Sequence, residues 1–531
     1  MLGICRTNIH HTLINLLHHS KPISVSQLMQ THALLFTSGL LLSDHPCFGA
    51  KLVNLFAEAG DARYCRRLLL HHPTSSVVLW NKVIRSYSYS SSPNHSLRVF
   101  IDMLRFGVSP DHFSFPFLLK ASSRLSSLQL GMCIHSFVLR SGYALDLFVC
   151  NSLIHMYASY GGILCAHKVF DEMPLRTCVS WNSMLDGYAK CGDLDSALRV
   201  FDSMPDKDVV SWSSIIDGLV KAGEYTQALS FFERMIPKAN EVTMVSVLRA
   251  CAHLGALEQG KLMHRYILEN ELPFTLVLLT SLVDMYAKCG AIEVALSVFR
   301  GMLPKVKSDV FLWNAIIGGL ASHGFVRESL DLFKEMSSVK VEPDEITYLC
   351  LLSACAHAGL VKEAWWFFED LERNGMTPKS EHYACMVDAM ARAGAVGEAY
   401  DFLSRMPEEP TPAMLGALLS GCMNHGRLDL AELLGKKLVE VDPHHDGRYV
   451  GLSNVYATVK RWDDAKTLRQ AMDITGVKKF PGFSYVEISG SIHMFKAHDK
   501  THPKSSDIYA TVNFMLLQMS KPLDYEGSLF H

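Results

Sequence analysis

The sequence predicts an all-α protein: a solenoid of stacked helix–turn–helix repeats followed by a small C-terminal extension. Short motifs recur along the 531 residues, and this self-similarity is the first observation behind the prediction. YAKCG occurs at 188–192 and 286–290, and ACAH at 250–253 and 354–357, about 100 residues apart in both cases. Composition is the second observation, because 49% hydrophobic and 19% charged residues exclude a disordered chain.

The segment 178–208 shows that one repeat is a pair of helices. The first apolar face, at i, i+3, i+4 and i+7 spacing, consists of Trp181, Met184, Leu185 and Tyr188. Gly192 ends this helix, and Asp193 is placed to cap the next one. The second apolar face consists of Leu194, Ala197, Leu198 and Phe201, and Pro205 closes the repeat. One such pair cannot bury both faces alone, so consecutive repeats must stack.

Alignment on these landmarks divides 11–411 into a continuous array of repeats. In chain order the repeats are 11–45, 46–76, 77–111, 112–146, 147–177, 178–208, 209–240, 241–275, 276–309, 310–344, 345–379 and 380–411. The repeat at 209–240 is about three residues short after its second helix. The repeat at 276–309 is about three residues long, around 304–308.

The repeats share a motif that identifies a family. They read V-x-x-W-N near the start and F-x-x-M-P or V-x-P-D near the end, whereas the W-x2-L-G-x2-Y pattern of tetratricopeptide repeats does not recur. This pattern closely resembles the pentatricopeptide repeat family, and mixed lengths of about 35, 35 and 31 residues resemble its plant PLS class. WNSMLDGYAKCGDLDSALRVFDSMPDKDVVSW, at 181–212, is similar to that class's consensus. The resemblance covers nearly the whole chain and implies a right-handed superhelix that binds single-stranded RNA.

The C-terminal extension is predicted to contain degenerate repeats, a hairpin and a helix. Residues 412–480 are similar to the two degenerate repeats of the family's E region, and 481–531 to its E-plus segment and tail. Alternating residues around a Ser-Gly-Ser turn predict a β-hairpin with strands at 483–488 and 492–497. A last helix is predicted at 506–519.

The resemblance implies that the fifth and last residues of a repeat together recognise one RNA base. An Asn amide can donate and accept on a base edge, and an Asp carboxylate accepts. The candidate pairs are Asn81/Asp111, Asn151/Thr177, Asn182/Asp208, Ser213/Asn240, Thr280/Asp309 and Asn314/Asp344. The pairs that depart from the family's polar code are Pro116/Asp146, Val245/Thr275, Leu349/Lys379, Ala50/Ser76 and Ala384/Thr411. With one base per repeat, from the repeat of Asn81 to the repeat of Asn314, the code implies the RNA sequence U-n-Y-U-A-n-G-U, 5′ to 3′, where n is any base and Y is a pyrimidine.

Apolar residues at the second position of a repeat are expected to pack against base faces. The clearest examples are Val78, Val179, Val210 and Phe311. Stacking contributes about 1–3 kcal/mol per base, which allows a chain with a net charge of −3 to bind RNA. A simpler role for each Asn or Asp is capping of a helix. Their recurrence at fixed positions in several repeats favours base recognition.

Signatures of other chemistry are missing from the sequence. None of the 14 cysteines forms a CxxC pair, so we expect buried, free thiols in a reducing compartment. Gly255-x4-Gly260-Lys261 imitates a P-loop but has Leu262 where Ser or Thr would bind Mg²⁺. The HxE and PCxxC motifs of zinc deaminases, which related chains carry in a DYW domain, are also missing. We therefore predict no enzyme activity, no cofactor and no metal site.

The N-terminal residues suggest organelle targeting. No Asp or Glu occurs before Asp44, and an acid-poor start is typical of an organelle presequence. We predict a targeting segment at 1–10 that extends to about 43 at most, with the mitochondrion favoured over the chloroplast.

These features together predict an organellar factor that recognises sites of C-to-U RNA editing. Single-stranded organellar RNA would bind the repeats, and 412–519 would recruit a DYW-type deaminase and other editing factors in trans. No membrane partner is expected, because the sequence has no run of about 18 apolar residues. A role in RNA splicing, stability or translation is the first alternative, and a tetratricopeptide-like protein scaffold is the second.

Overall fold

The computed structural model describes residues 25–37, 46–71, 76–302, 309–479, 482–488, 491–496 and 499–519. These residues contain 28 helices and one two-stranded antiparallel sheet, so the predicted α-solenoid with a C-terminal hairpin is confirmed. The chain forms an N-terminal body, Met1–Ala239, and a C-terminal body, Asn240–His531. Every helix in the described ranges is too short or too polar to cross a membrane. Most of the predicted targeting segment and the long stretch at 304–308 lie outside these ranges.

The N-terminal body consists of helices alone within the described ranges. They are α1 (Val25–Thr37), α2 (Pro46–Glu58), α3 (Ala62–His71), α4 (Val77–Tyr89), α5 (Asn94–Arg105), α6 (Ser114–Arg124), α7 (Leu128–Arg140), α8 (Leu147–Ser159), α9 (Ile163–Glu172), α10 (Cys178–Lys190), α11 (Leu194–Ser203), α12 (Val209–Lys221) and α13 (Tyr225–Glu233). From α4 to α26, each even-numbered helix is the first helix of a repeat.

The C-terminal body continues with helix pairs and ends in the hairpin and one helix. Its elements are α14 (Glu241–Leu254), α15 (Leu257–Glu269), α16 (Leu276–Lys288), α17 (Ile292–Met302), α18 (Val310–Ser322), α19 (Val326–Ser338), α20 (Glu345–Ala358), α21 (Val361–Arg373), α22 (Ser380–Arg392), α23 (Val396–Ser404), α24 (Pro412–Asn424), α25 (Leu428–Val441), α26 (Asp446–Thr458), α27 (Trp462–Ile474), β1 (Phe483–Ile488), β2 (Ser491–Lys496) and α28 (Ser505–Met519).

Within each body, the first helix of a repeat packs against its own second helix and against the first helix of the next repeat. The cores are closed by large side chains such as Trp80 in the N-terminal body and Trp313 in the C-terminal body, both 0% exposed. Close approach of first helices depends on small residues. A Cβ added at Gly319 in α18 would lie 2.4 Å from the Cβ of Ala287 in α16, a separation that only glycine avoids.

The repeat at 178–208 folds as its sequence predicts. α10 ends at Lys190, and Gly192 follows with a φ of +77°, in the left-handed region that glycine adopts without strain. Asp193 caps α11, since its carboxylate accepts a hydrogen bond from the backbone N–H of Ser196 at 3.0 Å. Gly192 and Asp193 therefore set the end of α10 and the start of α11.

The hairpin agrees with the predicted pairing to within one residue. β1 covers the predicted 483–488, and β2 begins one residue earlier than predicted, with Ile488 paired to Ser491 and Phe483 to Lys496. The connecting residues 489–490 lie outside the described ranges. The last helix also begins one residue early, at Ser505.

The expectation that the cysteines are buried is wrong for part of the set. Cys133, Cys165 and Cys191 are free and exposed. Cys133 and Cys165 lie on second helices, α7 and α9, and Cys191 follows the end of α10, with its sulfur 3.9 Å from the carbonyl oxygen of Ala158. The described cysteines that are buried are Cys65, Cys150, Cys251, Cys355 and Cys422.

Candidate RNA-binding surface

One large apolar side chain is exposed at the second position of each repeat from 77 to 379. In the N-terminal body these residues are Val78, Phe113, Phe148, Val179 and Val210. In the C-terminal body they are Val242, Val277, Phe311 and Ile346. Each is between 49% and 60% exposed, although neighbouring apolar residues of the same helices are buried. The recurrence produces a series of apolar surfaces suited to flat, partly apolar ligands such as nucleobases.

Sequence reasoning named only four members of this series. It missed Phe113, Phe148, Val242, Val277 and Ile346. The signal was available, because all five occupy the second position of the aligned repeats. In the N-terminal body two of them also interact, since the rings of Phe113 and Phe148 lie 6.0 Å apart, centroid to centroid.

The structure brings together the fifth and last residues in all three Asn/Asp repeats. The amide nitrogen of Asn81 donates to the Asp111 carboxylate at 2.8 Å. The equivalent distance is 3.1 Å for Asn182 and Asp208, and 2.9 Å for Asn314 and Asp344. The sequence therefore identified three polar pairs that are contiguous in space.

Each of these aspartates also accepts a hydrogen bond from a backbone N–H at the start of the next repeat's first helix, and Asp208 and Asp344 are the N-cap residues of those helices. Asp208 accepts from the backbone N–H of Ser211 at 2.8 Å, and Asp344 accepts from that of Thr347 at 2.9 Å. Capping and base recognition are therefore compatible roles for one carboxylate, because the cap fixes the side chain beside the Asn of its own repeat.

Hydrogen bonding favours the ionised form of Asp208. Burial raises the pKa of this carboxyl, but hydrogen bonds donated by the backbone N–H of Ser211 and the amide of Asn182 outweigh burial, and the pKa lies below its usual value. An ionised carboxylate only accepts hydrogen bonds, so Asn182 must turn its amide nitrogen toward Asp208. One side of the Asn182 amide is thereby fixed.

The other predicted pairs are arranged differently. The amide oxygen of Asn151 is buried without a hydrogen-bond partner among the described atoms, and Thr177 takes part in the capping box of α10 with Ser180. The Thr280 hydroxyl donates to the carbonyl of Leu276, within its own helix. Asp309 precedes α18 without a side-chain capping bond.

The predicted pair Ser213/Asn240 has one residue in each body, and each residue is described within its own body. In the N-terminal body the hydroxyl of Ser213 donates to the carbonyl of Val209 at 2.7 Å. In the C-terminal body Asn240 caps α14, where its amide oxygen accepts from the backbone N–H of Thr243 at 3.0 Å. Both residues therefore have local hydrogen-bonding roles.

A cleft in the C-terminal body collects the candidate residues of consecutive repeats. The cleft is open to solvent and has a volume of about 450 Å³. The lining residues are Arg249, Thr280, Ser281, Asp284, Phe311, Asn314, Ala315 and Ile346. Fifth-position Thr280 and Asn314 thus share one concave surface with second-position Phe311 and Ile346.

Cationic side chains follow the candidate readers on several first helices, and sequence reasoning missed them. Each is held by an acidic residue one helical turn earlier, at distances of 2.6–2.8 Å. The pairs are Asp186/Lys190, Asp217/Lys221, Asp284/Lys288 and Asp388/Arg392. Because Asp284 lines the cleft, Lys288 is placed near it. The available signal was an Asp at the ninth residue of the repeat followed four residues later by Lys or Arg.

A metal site is not formed by the described residues. Within those ranges, no group of three or more His, Cys, Asp or Glu side chains could hold a metal ion.

Family models match most of the repeat array and part of the C-terminal extension. The PPR repeat model matches 78–108, 148–178, 179–209, 210–236, 277–303, 346–376 and 381–410. A second model of the PPR repeat family matches 308–357, and the E motif model matches 425–487.

Among solved structures, the chain is similar to the pentatricopeptide repeat protein PPR10 from maize, with a TM-score of 0.45, 19% identity and coverage of 81% of this chain and 64% of that one. It is also similar to PPR10 in complex with an 18-nt psaJ RNA element, with a TM-score of 0.43, 17% identity and coverage of 90% and 77%.

Relatives from Arabidopsis thaliana match over almost the full length. The pentatricopeptide repeat-containing protein At5g08305 is 60% identical over 514 residues, 96% of each chain. The pentatricopeptide repeat-containing protein At4g21065 is 37% identical and covers 94% of this chain and 80% of its own length. With the matched repeats and the E motif, these likenesses show that the chain belongs to the pentatricopeptide repeat family and to its E-type members.

Proposed function

We propose that this protein binds single-stranded RNA sequence-specifically, with successive repeats meeting successive bases. The observation that carries the proposal is the hydrogen-bonded Asn/Asp pair in three repeats, each with an exposed apolar residue at the second position of the same repeat. The apolar side chain offers a stacking surface, and the amide offers a donor and an acceptor to the base edge. Both are needed to bind a base and to discriminate it.

Phosphate contacts are the natural role of the cations on the first helices. Lys190, Lys221 and Lys288 lie two helical turns beyond the fifth residue, and each has its ammonium held by an aspartate. Local cations of this kind supply the salt-dependent part of RNA binding, even though the net charge of the chain is −3.

Binding to the predicted tract tests this proposal. An RNA containing U-n-Y-U-A-n-G-U should bind more tightly than its scrambled form. Asn182→Ala should weaken binding to the matched RNA by roughly 5- to 150-fold, as expected for loss of a base-specifying contact. Ser183→Ala, on a half-buried neighbour in α10 whose hydroxyl donates to the carbonyl of Val179, is the control and should leave binding unchanged. Equal affinity of the wild type for matched and scrambled RNA would contradict the base assignments.

For the cellular role, we infer that the protein specifies sites of C-to-U editing in organellar RNA and recruits a DYW-type deaminase in trans. Support comes from the E motif match at 425–487 and from a C-terminal helix, α28, that exposes large apolar residues. A chain that only binds RNA does not require such a surface. The mitochondrion is the proposed compartment, and the chloroplast is the alternative.

Sequencing of organellar transcripts with and without the protein tests this role. Loss of C-to-U conversion at one or a few cytidines just 3′ of a matching tract would support it and identify the target. Unchanged editing with altered splicing or transcript ends would favour the RNA-processing alternative. Unaltered organellar RNA, in a line that lacks redundant relatives, would favour a protein scaffold.

A further inference from the structure

We infer that Ser114 and Thr347, the third residues of two repeats, are positioning residues for base recognition by the repeat before them. Each holds the amide of the preceding fifth-position Asn in one orientation and thereby strengthens discrimination between uracil and cytosine. This inference rests on the proposed RNA-binding function. It assigns a role in specificity to repeats whose own fifth residues, Pro116 and Leu349, cannot recognise a base edge.

Four hydrogen bonds form a closed ring around Asn314. Its amide nitrogen donates to the carboxylate of Asp344 at 2.9 Å, and its amide oxygen accepts from the hydroxyl of Thr347 at 2.7 Å. The backbone N–H of Asp344 donates to that hydroxyl at 3.1 Å, and the backbone N–H of Thr347 donates to the Asp344 carboxylate at 2.9 Å. Thr347 is fully buried, so water cannot replace its hydroxyl without rearrangement.

The same ring recurs around Asn81 in the N-terminal body. The Asn81 amide donates to Asp111 at 2.8 Å and accepts from the hydroxyl of Ser114 at 2.7 Å. The backbone N–H of Asp111 donates to the Ser114 hydroxyl at 3.2 Å, and that of Ser114 donates to the Asp111 carboxylate at 3.0 Å. Recurrence in a second body, with Ser in place of Thr, indicates that the hydroxyl is the shared requirement.

The ring fixes which atom of the amide faces which neighbour. A carboxylate can only accept, so it selects the amide nitrogen. The hydroxyl has two acceptors within reach, and the amide oxygen, at 2.7 Å in both rings, is closer than the carboxylate, at 3.0 Å. One N–H and one oxygen lone pair of the Asn remain for a ligand. In this fixed order they fit a base edge with one donor and one acceptor in the complementary order.

Uracil and cytosine present opposite orders on this edge. Uracil donates from N3 and accepts at O4, whereas cytosine accepts at N3 and donates from its amino group. An Asn amide that is free to flip by 180° can form hydrogen bonds with either base. An amide whose nitrogen and oxygen both have fixed protein partners can do so with only one of them. Under the proposed code that base is uracil, so the hydroxyl should raise the preference for uracil over cytosine.

Asn182 provides an internal contrast, because its ring is open. The hydroxyl of Ser211, the equivalent third residue, donates to the backbone carbonyl of Asp208 at 2.8 Å. The amide oxygen of Asn182 is buried and has no hydrogen-bond partner among the described atoms. Ser114 and Ser211 are both third residues of their repeats. Only the Ser114 hydroxyl donates to the amide oxygen of the preceding Asn.

The decisive experiment compares binding of two RNAs that differ only at the base assigned to Asn314. One carries the full U-n-Y-U-A-n-G-U tract, and the other has C as its last base. Thr347→Val removes the hydroxyl and keeps the shape. We expect the ratio of affinities for U over C to fall roughly 2- to 10-fold, the equivalent of one ordinary hydrogen bond. Thr347→Ser should restore the ratio, and Ser211→Ala should leave the ratio at the base of Asn182 unchanged.

The outcomes separate this inference from the proposed function. A wild type that prefers U, with the same preference in Thr347→Val, would overturn the inference alone. An equal loss of affinity for both RNAs would also overturn it, since that is the effect of a purely structural residue. A wild type without any preference at the tested bases would contradict the code itself and the inference with it. Should Thr347→Val fail to fold, Ser114→Ala, tested at the first base of the tract, gives the same decision.

Discussion

Helix α18 buries most of its large apolar residues, whereas helix α28 exposes them. α18 buries Leu312, Trp313, Ile316 and Ile317 completely and exposes Phe311, the second residue of its repeat. α28 exposes Val512, Phe514, Met515, Leu516, Leu517 and Met519, by 43% to 82%. Because consecutive helical residues point about 100° apart, the run 514–517 covers every side of α28. A repeat helix therefore completes its core within the array, whereas α28 offers a surface suited to a second protein.

The largest expected effect is on the buried side of α18. Trp313→Ala should lower the free energy of unfolding by about 3–5 kcal/mol, because it removes a fully buried ring and leaves a cavity. The ring lies edge-on to Phe299, with the centroids 4.9 Å apart, so this contact is lost as well. Chemical denaturation monitored by circular dichroism measures the change. A loss below about 1 kcal/mol would contradict a closed core at this position.

The next effect concerns α28 and its proposed protein partner. Phe514→Glu should weaken binding of a DYW-type deaminase by about 2 kcal/mol or more, as expected for an apolar anchor of an interface. RNA affinity should stay unchanged. Asn513→Glu adds the same charge at a neighbouring polar position of α28 and serves as the control. Equal losses in the two variants, measured by pull-down with purified deaminase, would show that charge alone and not the apolar surface is responsible.

Much of this contrast was predictable from the sequence, because it depends on local patterns. The spacing of apolar residues predicted the helix pairs, Gly192 and Asp193 predicted their boundaries, and alternation predicted both strands of the hairpin. The Asn/Asp pairs were identified from their repeat positions, and the structure shows that the three pairs are in contact.

Features that depend on side-chain direction or on distant contacts could not be predicted. Ser114 and Ser211 occupy equivalent sequence positions, but their hydroxyls donate to different groups. No local signal distinguishes these two choices, which follow from the packing of adjacent repeats. Contacts between the hairpin and the repeat array could not be predicted from the sequence either, because the contacting residues lie more than 200 positions apart in the chain.

The exposed side of α18 should affect RNA binding rather than stability. Phe311→Ala removes a side chain that is 58% exposed and lines the cleft with Asn314. We expect RNA binding to weaken by about 1–3 kcal/mol, the usual contribution of one stacked base. The free energy of unfolding should change by less than about 0.5 kcal/mol. A large decrease in the free energy of unfolding of Phe311→Ala would indicate that Phe311 packs in the core. It would contradict the distinction between a buried and an exposed side of α18.

The smallest expected effect tests how the extension is held to the array. In the C-terminal body the Glu487 carboxylate of β1 accepts hydrogen bonds from the backbone N–H groups of Glu258 and Gln259, at 2.8 and 3.1 Å. These groups belong to the first turn of α15, where the helix dipole also favours a negative charge. Glu487→Gln should therefore weaken the contact by about 0.5–1.5 kcal/mol.

Hydrogen exchange resolves this small change, because it reports local opening separately from global unfolding. Amides of β1 and β2 should exchange roughly 2- to 10-fold faster in Glu487→Gln, while those of α18 keep their rates. Ser484→Ala, on an exposed residue of the same strand, should leave the hairpin unchanged. Unaltered exchange in Glu487→Gln would mean that strand pairing alone holds the hairpin. Faster exchange would show that a single carboxylate ties the extension to a repeat more than 200 residues earlier in the chain.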